Sequence, residues 1–339
     1  MNSPNNKGSS PQPANPLDRR EFLLRFGAAG AILAGSAYAG VKLWQPNHIV
    51  PGFQKEKGRQ LASYALEPSK ILPSLAIAHG ADHEKTVRAV LDALGGMGRF
   101  VQKGDVVMIK PNVAFDRPPA LAATTHPDTL RAVAKLVLEA GASQVIVADN
   151  PINSPIGCFL KSGITGVASD MNLDLIYPGS NSFSPLELNG EILKDWTFFS
   201  EPFRKANKVI GVTPCKDHNL CHASMTMKNW YGLLGGRRNQ FHQHIHSIVS
   251  DFALMMKPTL VILDGMNVLM SNGPTGGRLS DVKQMNTIVA GTDMVAVDAY
   301  GYTHLLERDL AELTYVHKAH DRGLGNKNWQ DSLYKEVQA

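Results

Sequence analysis

The sequence predicts an α/β protein with a doubly wound, mostly parallel sheet flanked by helices. Two observations carry this. Short apolar runs alternate regularly with helix-patterned stretches from residue 75 onward, the signature of βαβ units. Several of those runs end on polar residues, as strands do when they deliver side chains to a crevice at their carboxyl ends. The 339 residues, less an N-terminal segment, leave about 300, enough for one large α/β domain or two small ones.

The chain opens with a polar stretch that leads into Asp18-Arg19-Arg20-Glu21-Phe22-Leu23-Leu24 and then a Gly/Ala-rich apolar run from Phe26 to Gly40. Paired arginines directly before such a run are the twin-arginine (Tat) export pattern, with Arg19 and Arg20 as its signal residues. Ala37-Tyr38-Ala39 offers a small-x-small cleavage site, so residues 1–39 are expected to be a signal peptide. A retained anchor is the alternative, although Gly27 to Val41 falls short of the ~20 apolar residues that a spanning helix needs. The expected location is the periplasm, reached through the Tat translocase, with membrane contact only through this segment where it is uncleaved.

Residues 40–74 are polar and punctuated by Pro46, Pro51, Pro68 and Pro73, and read as a linker or surface-wrapping arm. The α/β domain then spans 75–325, with a C-terminal tail at 326–339. Strands are expected at Leu75–Ala78, Asp105–Lys110, Gln144–Asp149, Lys208–Thr213, Thr259–Asp264 and Thr287–Ala290. Helices are expected at His83–Leu94, Pro127–Ala140, Ala223–Leu234, Ser247–Met256 and Asp293–Leu306. The second of these starts at Thr124-Thr125-His126-Pro127-Asp128, with a Thr or His cap and Pro in the first turn. Gly95-Gly96-Met97-Gly98 follows a helix, so it terminates that helix and is not a dinucleotide fingerprint.

Formal charge falls from +4 to +2 once residues 1–39 are removed, too little to suggest nucleic acid as a partner. Three cysteines exclude a disulfide-stapled scaffold.

Four strand ends carry chemistry: Lys110-Pro111-Asn112, Asp149-Asn150, Thr213-Pro214-Cys215-Lys216 and Asp264-Gly265. Alone, each is ordinary turn chemistry. Converging, their lysines and aspartates would suit an anionic substrate or a divalent metal. The expected catalytic residues are Lys110, Lys216, His218 and Lys228, with Asn112, His126, Asp149, Asn229 and Asp264 as ligand-binding residues.

Cys215, His218, Cys221, His222, His242, His244 and His246 crowd one short stretch. A metal shell from Cys215, His218, Cys221, His222 and His242 is one reading. A Cys215–Cys221 disulfide and a loop of substrate-binding histidines are the others.

Lys110-Pro111-Asn112, Thr125-His126-Pro127, Glu139-Ala140-Gly141-Ala142 and Val147-Ala148-Asp149-Asn150-Pro151 resemble the amino-terminal half of the domain-of-unknown-function 362 proteins. Lys216-Asp217-His218, Thr226-Met227-Lys228-Asn229 with Gly232, His242, Asp264-Gly265 with Gly273-Pro274 and Gly277, and Thr292-Asp293 to Val297-Asp298 resemble its second half. The resemblance spans roughly Leu75 to Gly325. Some members carry a ferredoxin-like segment with cluster-binding cysteines, which implies redox chemistry in the family. This chain has no such cysteine run, which argues against an intrinsic iron–sulfur cluster. Any electrons would come from a redox partner protein.

Two function classes follow. One is an exported, metal- or redox-linked enzyme acting on a small anionic substrate in the crevice. The other is a non-catalytic periplasmic protein that binds a metal or ligand.

Overall fold

The computed structural model describes Arg20 and residues 60–339. The chain divides into Met1–Glu56 and Lys57–Ala339. The export signal and most of the linker therefore lie outside the described residues, Arg20 itself being an exposed helical residue. No helix among the described residues is long and apolar enough to cross a membrane.

The order of elements is β1 (Leu75–His79), α1 (His83–Ala93), β2 (Val106–Lys110), α2 (Pro127–Glu139), β3 (Gln144–Ala148), α3 (Pro155–Lys161), α4 (Ile164–Asp170) and β4 (Asp174–Ile176). A hairpin follows, β5 (Phe183–Glu187) and β6 (Asp195–Phe199), then β7 (Lys208–His218), β8 (His222–Ser224) and α5 (Thr226–Asn229). The chain closes with α6 (Ile245–Met255), β9 (Leu260–Leu269), β10 (Val282–Gly291), α7 (Met294–Tyr300), α8 (Thr314–Asp321) and β11 (Tyr334–Gln338). Nine strands form one sheet, in the order β11-β1-β10-β9-β7-β2-β3-β4 with β8 paired to β7. Along the eight-strand path only β10 runs against its neighbours. The sheet is doubly wound and mostly parallel, as expected.

Alternation along the strands explains the two layers. In β2, Met108 packs on one face, while Val107 and Ile109 pack on the other. The first face is covered by α6, α7 and α8 through Ile248, Phe252, Val295 and Tyr315. The second is covered by α1, α2 and α3 through Val87, Leu130, Val133 and Phe159. Parallel strands buried on both faces need these near-continuous apolar runs.

The sequence placed strand ends too early. β7 runs through Pro214 to His218 and β9 runs through Asp264 to Leu269, so neither Thr213 nor Asp264 ends its strand. Pro214 is accommodated because the β7–β9 register shifts between Pro214 and Lys216. A shift of this kind re-aims the residues after it. The helix expected at Ala223–Leu234 is instead β8, the short α5 and a 3-10 turn at Trp230–Leu233. Residues 326–339, read as a tail, contain β11, which pairs in parallel with β1. Tyr64 of the arm is tied to the core by its amide to Lys257 O at 2.8 Å and by Thr259 Oγ1 to Tyr64 O at 2.9 Å.

Candidate functional site

The ends of β2, β3 and β7 and the α5 segment wall a cleft of about 190 Å³. Its lining includes Lys110, Asn112, Asp149, Lys216, His218, Lys228, Asn229, Tyr231, Arg238 and His242. The sheet delivers Lys110 as the last residue of β2, next to β3, which Asp149 directly follows. In β7 alternation turns Lys216 and His218 to one face and Cys215 to the other.

Lys110 is fully buried. Its Nζ lies 2.7 Å from Asp149 Oδ1 and donates to Pro111 O at 2.7 Å and to Asn229 Oδ1 at 3.0 Å. All three ammonium donors are used. Burial pushes its pKa down, and the Asp149 carboxylate pulls it back up. Asp149 also accepts the amides of Val113 at 2.7 Å and Asn150 at 2.9 Å. Asn229 returns a hydrogen bond to Lys110 O at 3.2 Å.

Lys216 differs, having no carboxylate in contact. Its Nζ donates to Asn112 Oδ1 at 3.1 Å and to the carbonyl of Ala123, and sits 5.2 Å from the centroid of the Phe115 ring. Burial first, then the charge of Lys228, lowers its pKa to about 7. Lys228 is half-buried and lies 5.1 Å from the centroid of the Tyr231 ring. Among the described residues it faces no carboxylate, and burial lowers its pKa too.

His218 accepts the Leu220 amide on Nδ1 at 3.2 Å, which leaves Nε2 as the protonated nitrogen of the neutral ring. Burial, Lys228 and Lys216 depress its pKa to about 2, so it stays neutral. His242 Nδ1 lies 2.9 Å from Asn239 O. Arg238 is held by backbone carbonyls, its Nη2 donating to Asn150 O at 2.7 Å and Pro151 O at 3.0 Å and its Nη1 to Leu234 O at 3.1 Å. The Tyr231 hydroxyl donates to Arg238 O at 2.6 Å.

Of the expected ligand-binding residues, the cleft gathers Asn112, Asp149 and Asn229, but not His126 or Asp264. These two lie with His83 in a smaller pocket. Asp264 sits within β9, where its Oδ2 accepts from Thr129 Oγ1 at 2.6 Å and its Oδ1 from the Met266 amide at 3.0 Å. The proposed metal shell is not assembled. Cys215 turns away from Lys216, and its thiol meets Gly301 O at 3.8 Å. The Cys221 thiol meets Ala223 O at 3.2 Å, and burial raises its pKa to about 11. His222 is exposed, its ring stacking near His246 at 6.1 Å. All three cysteines are free and buried, so no Cys215–Cys221 disulfide is present. Three thiols are one fewer than the four that an iron–sulfur cluster commonly takes, so the cysteines do not fit a cluster of their own.

Sequence reasoning singled out neither Arg238 nor Tyr231. The only local signal was Gly235-Gly236 before Arg237-Arg238, which does not reveal which arginine turns inward. His83 was read only as the start of a helix.

The chain is 29% identical over 244 residues to the thylakoid-associated protein sll1697 of Synechocystis, covering 67% of this chain and 71% of that protein. The lactate racemase apoprotein of Thermoanaerobacterium thermosaccharolyticum aligns at a TM-score of 0.41 and 12% identity, covering 71% of this chain and 60% of that structure. A Thermotoga maritima protein solved by structural genomics aligns at 0.35 and 10%, covering 58% and 54%. The family described as "Domain of unknown function (DUF362)" matches residues 107–303, more than half of the chain, and the chain belongs to that family.

Proposed function

We propose that the cleft binds a small anionic molecule and that the protein is an enzyme performing proton transfer on it. The observation that carries this reading is the charge balance of the cleft. Lys110, Lys216, Lys228 and Arg238 line it with His218 and His242, against the single carboxylate of Asp149, which Lys110 already occupies. A buried excess of cationic groups is costly without an anion, and a bound carboxylate or phosphate supplies it. Lys228 has the donors free to hold that anion. His218 offers Nε2–H as a neutral donor.

Lys216 is the base. An amine that titrates near neutrality is poised to accept a proton, and its two acceptor partners hold it in place without capturing its lone pair. Proton abstraction beside the substrate's carboxylate leaves the charge on the substrate, where Lys228 and His218 stabilise it. No step passes through the cysteines.

Calorimetric titration with inorganic phosphate and with small hydroxy- and oxo-carboxylates tests binding. Proton–deuterium exchange of the bound carboxylates, followed by NMR, tests the chemistry. Lys228→Met should weaken binding at least tenfold. Lys216→Met should retain binding and stop exchange. An anion affinity unchanged in Lys228→Met removes the basis of the reading. Binding without exchange in the native chain leaves a carrier in place of an enzyme.

Export by the Tat translocase is part of the same proposal. Its support is the Arg19-Arg20 pattern, together with the thylakoid association in the name of the Synechocystis relative.

A further inference from the structure

A second cluster of chemistry lies apart from the lysines. His83 opens α1 and His126 caps α2, and the two helix starts bring their rings to 4.3 Å between centroids, nearly parallel. His83, His126 and Asp128 each place one ligand atom within 4.8 Å of the others. Beside them is a pocket of about 10 Å³ lined by His83, Thr124, His126, Asp264 and Asn267. That is room for roughly one water.

We propose that His83, His126 and Asp128 bind a divalent cation of the zinc class, with one water completing its shell. The hydrogen bonds around each ring prepare it. Thr129 Oγ1 donates to Asp264 Oδ2 at 2.6 Å, so at 2.8 Å from His83 Nδ1 it can only accept. His83 therefore carries its proton on Nδ1 and leaves the Nε2 lone pair for a metal. A ligating histidine usually donates its other ring N–H to a polar partner, and the Thr129 hydroxyl, itself held by Asp264, takes that place here. His126 Nδ1 bears a lone pair, engaged only by the Asp128 amide at a long 3.3 Å. Asp128 Oδ2 is 3.7 Å from that nitrogen. Ligands about 2.0–2.1 Å from a tetrahedral zinc stand roughly 3.4 Å apart, so the His126–Asp128 pair is already close, while the nearly parallel rings of His83 and His126 must turn for their in-plane lone pairs to meet one ion.

Thr124 supplies an independent observation. It is 1% exposed and lines the pocket, and its hydroxyl has no hydrogen-bond partner. An orphaned buried hydroxyl calls for an unseen partner, and a metal-bound water in the pocket is one. Charge agrees as well, because the carboxylates of Asp128 and Asp264 balance a divalent ion. The same segment serves the cleft, since Ala123 O accepts from Lys216 Nζ.

Elemental analysis of untagged full-length protein from zinc-supplemented cells, followed by Zn²⁺ and Co²⁺ titration of the stripped protein, tests the site. One zinc per chain is expected, and Co²⁺ should give visible ligand-field bands. His83→Gln and His126→Gln should each weaken zinc binding at least tenfold. Thr129→Val, which removes the outer support, should weaken it roughly tenfold. Asp128→Asn alters an exposed side chain, so it keeps the test open if a histidine variant misfolds. Substoichiometric zinc in the loaded native chain overturns the proposal. So does zinc affinity that is unchanged in Asp128→Asn or in the folded histidine variants.

Discussion

Lys110 Nζ and Asp149 Oδ1 meet at 2.7 Å with side chains 0% and 2% exposed, making an ion pair sealed from solvent at the floor of the cleft. The two partners are not equally dependent on each other. Asp149 keeps the Val113 and Asn150 amides when the lysine is removed, whereas Lys110 loses its only counter-charge when the aspartate is removed. Asp149→Asn should therefore cost about 3–5 kcal/mol, the range for stranding a buried charge. Lys110→Met should cost clearly less. Urea denaturation followed by circular dichroism measures both, and equal losses would contradict the asymmetry.

Lys216 ties stability to pH in a definite direction. Its amine titrates near 7 when folded and near 10.5 when unfolded. Between those values the unfolded chain holds more protons, so the contribution of Lys216 to stability rises with pH from about 7 to 10.5. Below 7 the full cost of burying the charge is borne. Lys216→Met removes this dependence. The native chain should therefore gain stability relative to the variant by a few kcal/mol, to order of magnitude, between neutral and strongly alkaline pH. A flat difference between the two melting profiles would refute the assignment.

Much of the sheet was legible because parallel strands such as Val106–Lys110 and Gln144–Ala148 must be apolar on both faces, and that pattern is local. The site was legible in part for the same reason: Lys110, Asn112 and Asp149 sit where these strands end. Pro214 misled because a proline within an apolar run reads as a strand end, and only the register shift against β9 lets the strand continue to His218. His126 and Asp264 were grouped with the lysines because strand and helix ends were assumed to converge on one crevice. Asp264 lies mid-strand and meets Thr129 of α2 instead. The pairing of His83 with His126 depends on how α1 packs against α2, which no spacing within either helix reveals. The thiols looked like ligands in sequence because proximity along the chain records neither the face of β7 that Cys215 takes nor the turn before β8 in which the Cys221 thiol meets Ala223 O.

Export makes a prediction that concerns the N-terminal pattern alone. Arg19→Lys with Arg20→Lys keeps the charge but removes the paired arginines that define the pattern. The folded variant should accumulate in the cytoplasm of an expressing bacterium, with the native chain in the periplasmic or membrane fraction. Immunoblotting of the fractions distinguishes the two. An unchanged distribution would mean that the arginines are not a Tat signal.

Gly232 follows α5 at the point where the chain passes closest to the ion pair. A methyl group there would overlap Asp149 Oδ1 and come within 3.0 Å of Lys110 Nζ. Neither atom can retreat cheaply, because Asp149 holds two amides and Lys110 holds Pro111 and Asn229. Gly232→Ala should therefore destabilise the fold by about 1–3 kcal/mol, the ordinary cost of overpacking a filled interior. It should also weaken phosphate binding, because the displaced pair forms the cleft floor. Gly277→Ala is the matched control, with nothing within 4 Å of the added methyl, and it should change stability by no more than about 0.5 kcal/mol. Thermal melts of both variants, with and without phosphate, separate a local clash at the ion pair from a general intolerance of alanine. Equal behaviour of the two would show that the backbone near Asp149 has room that the geometry denies it.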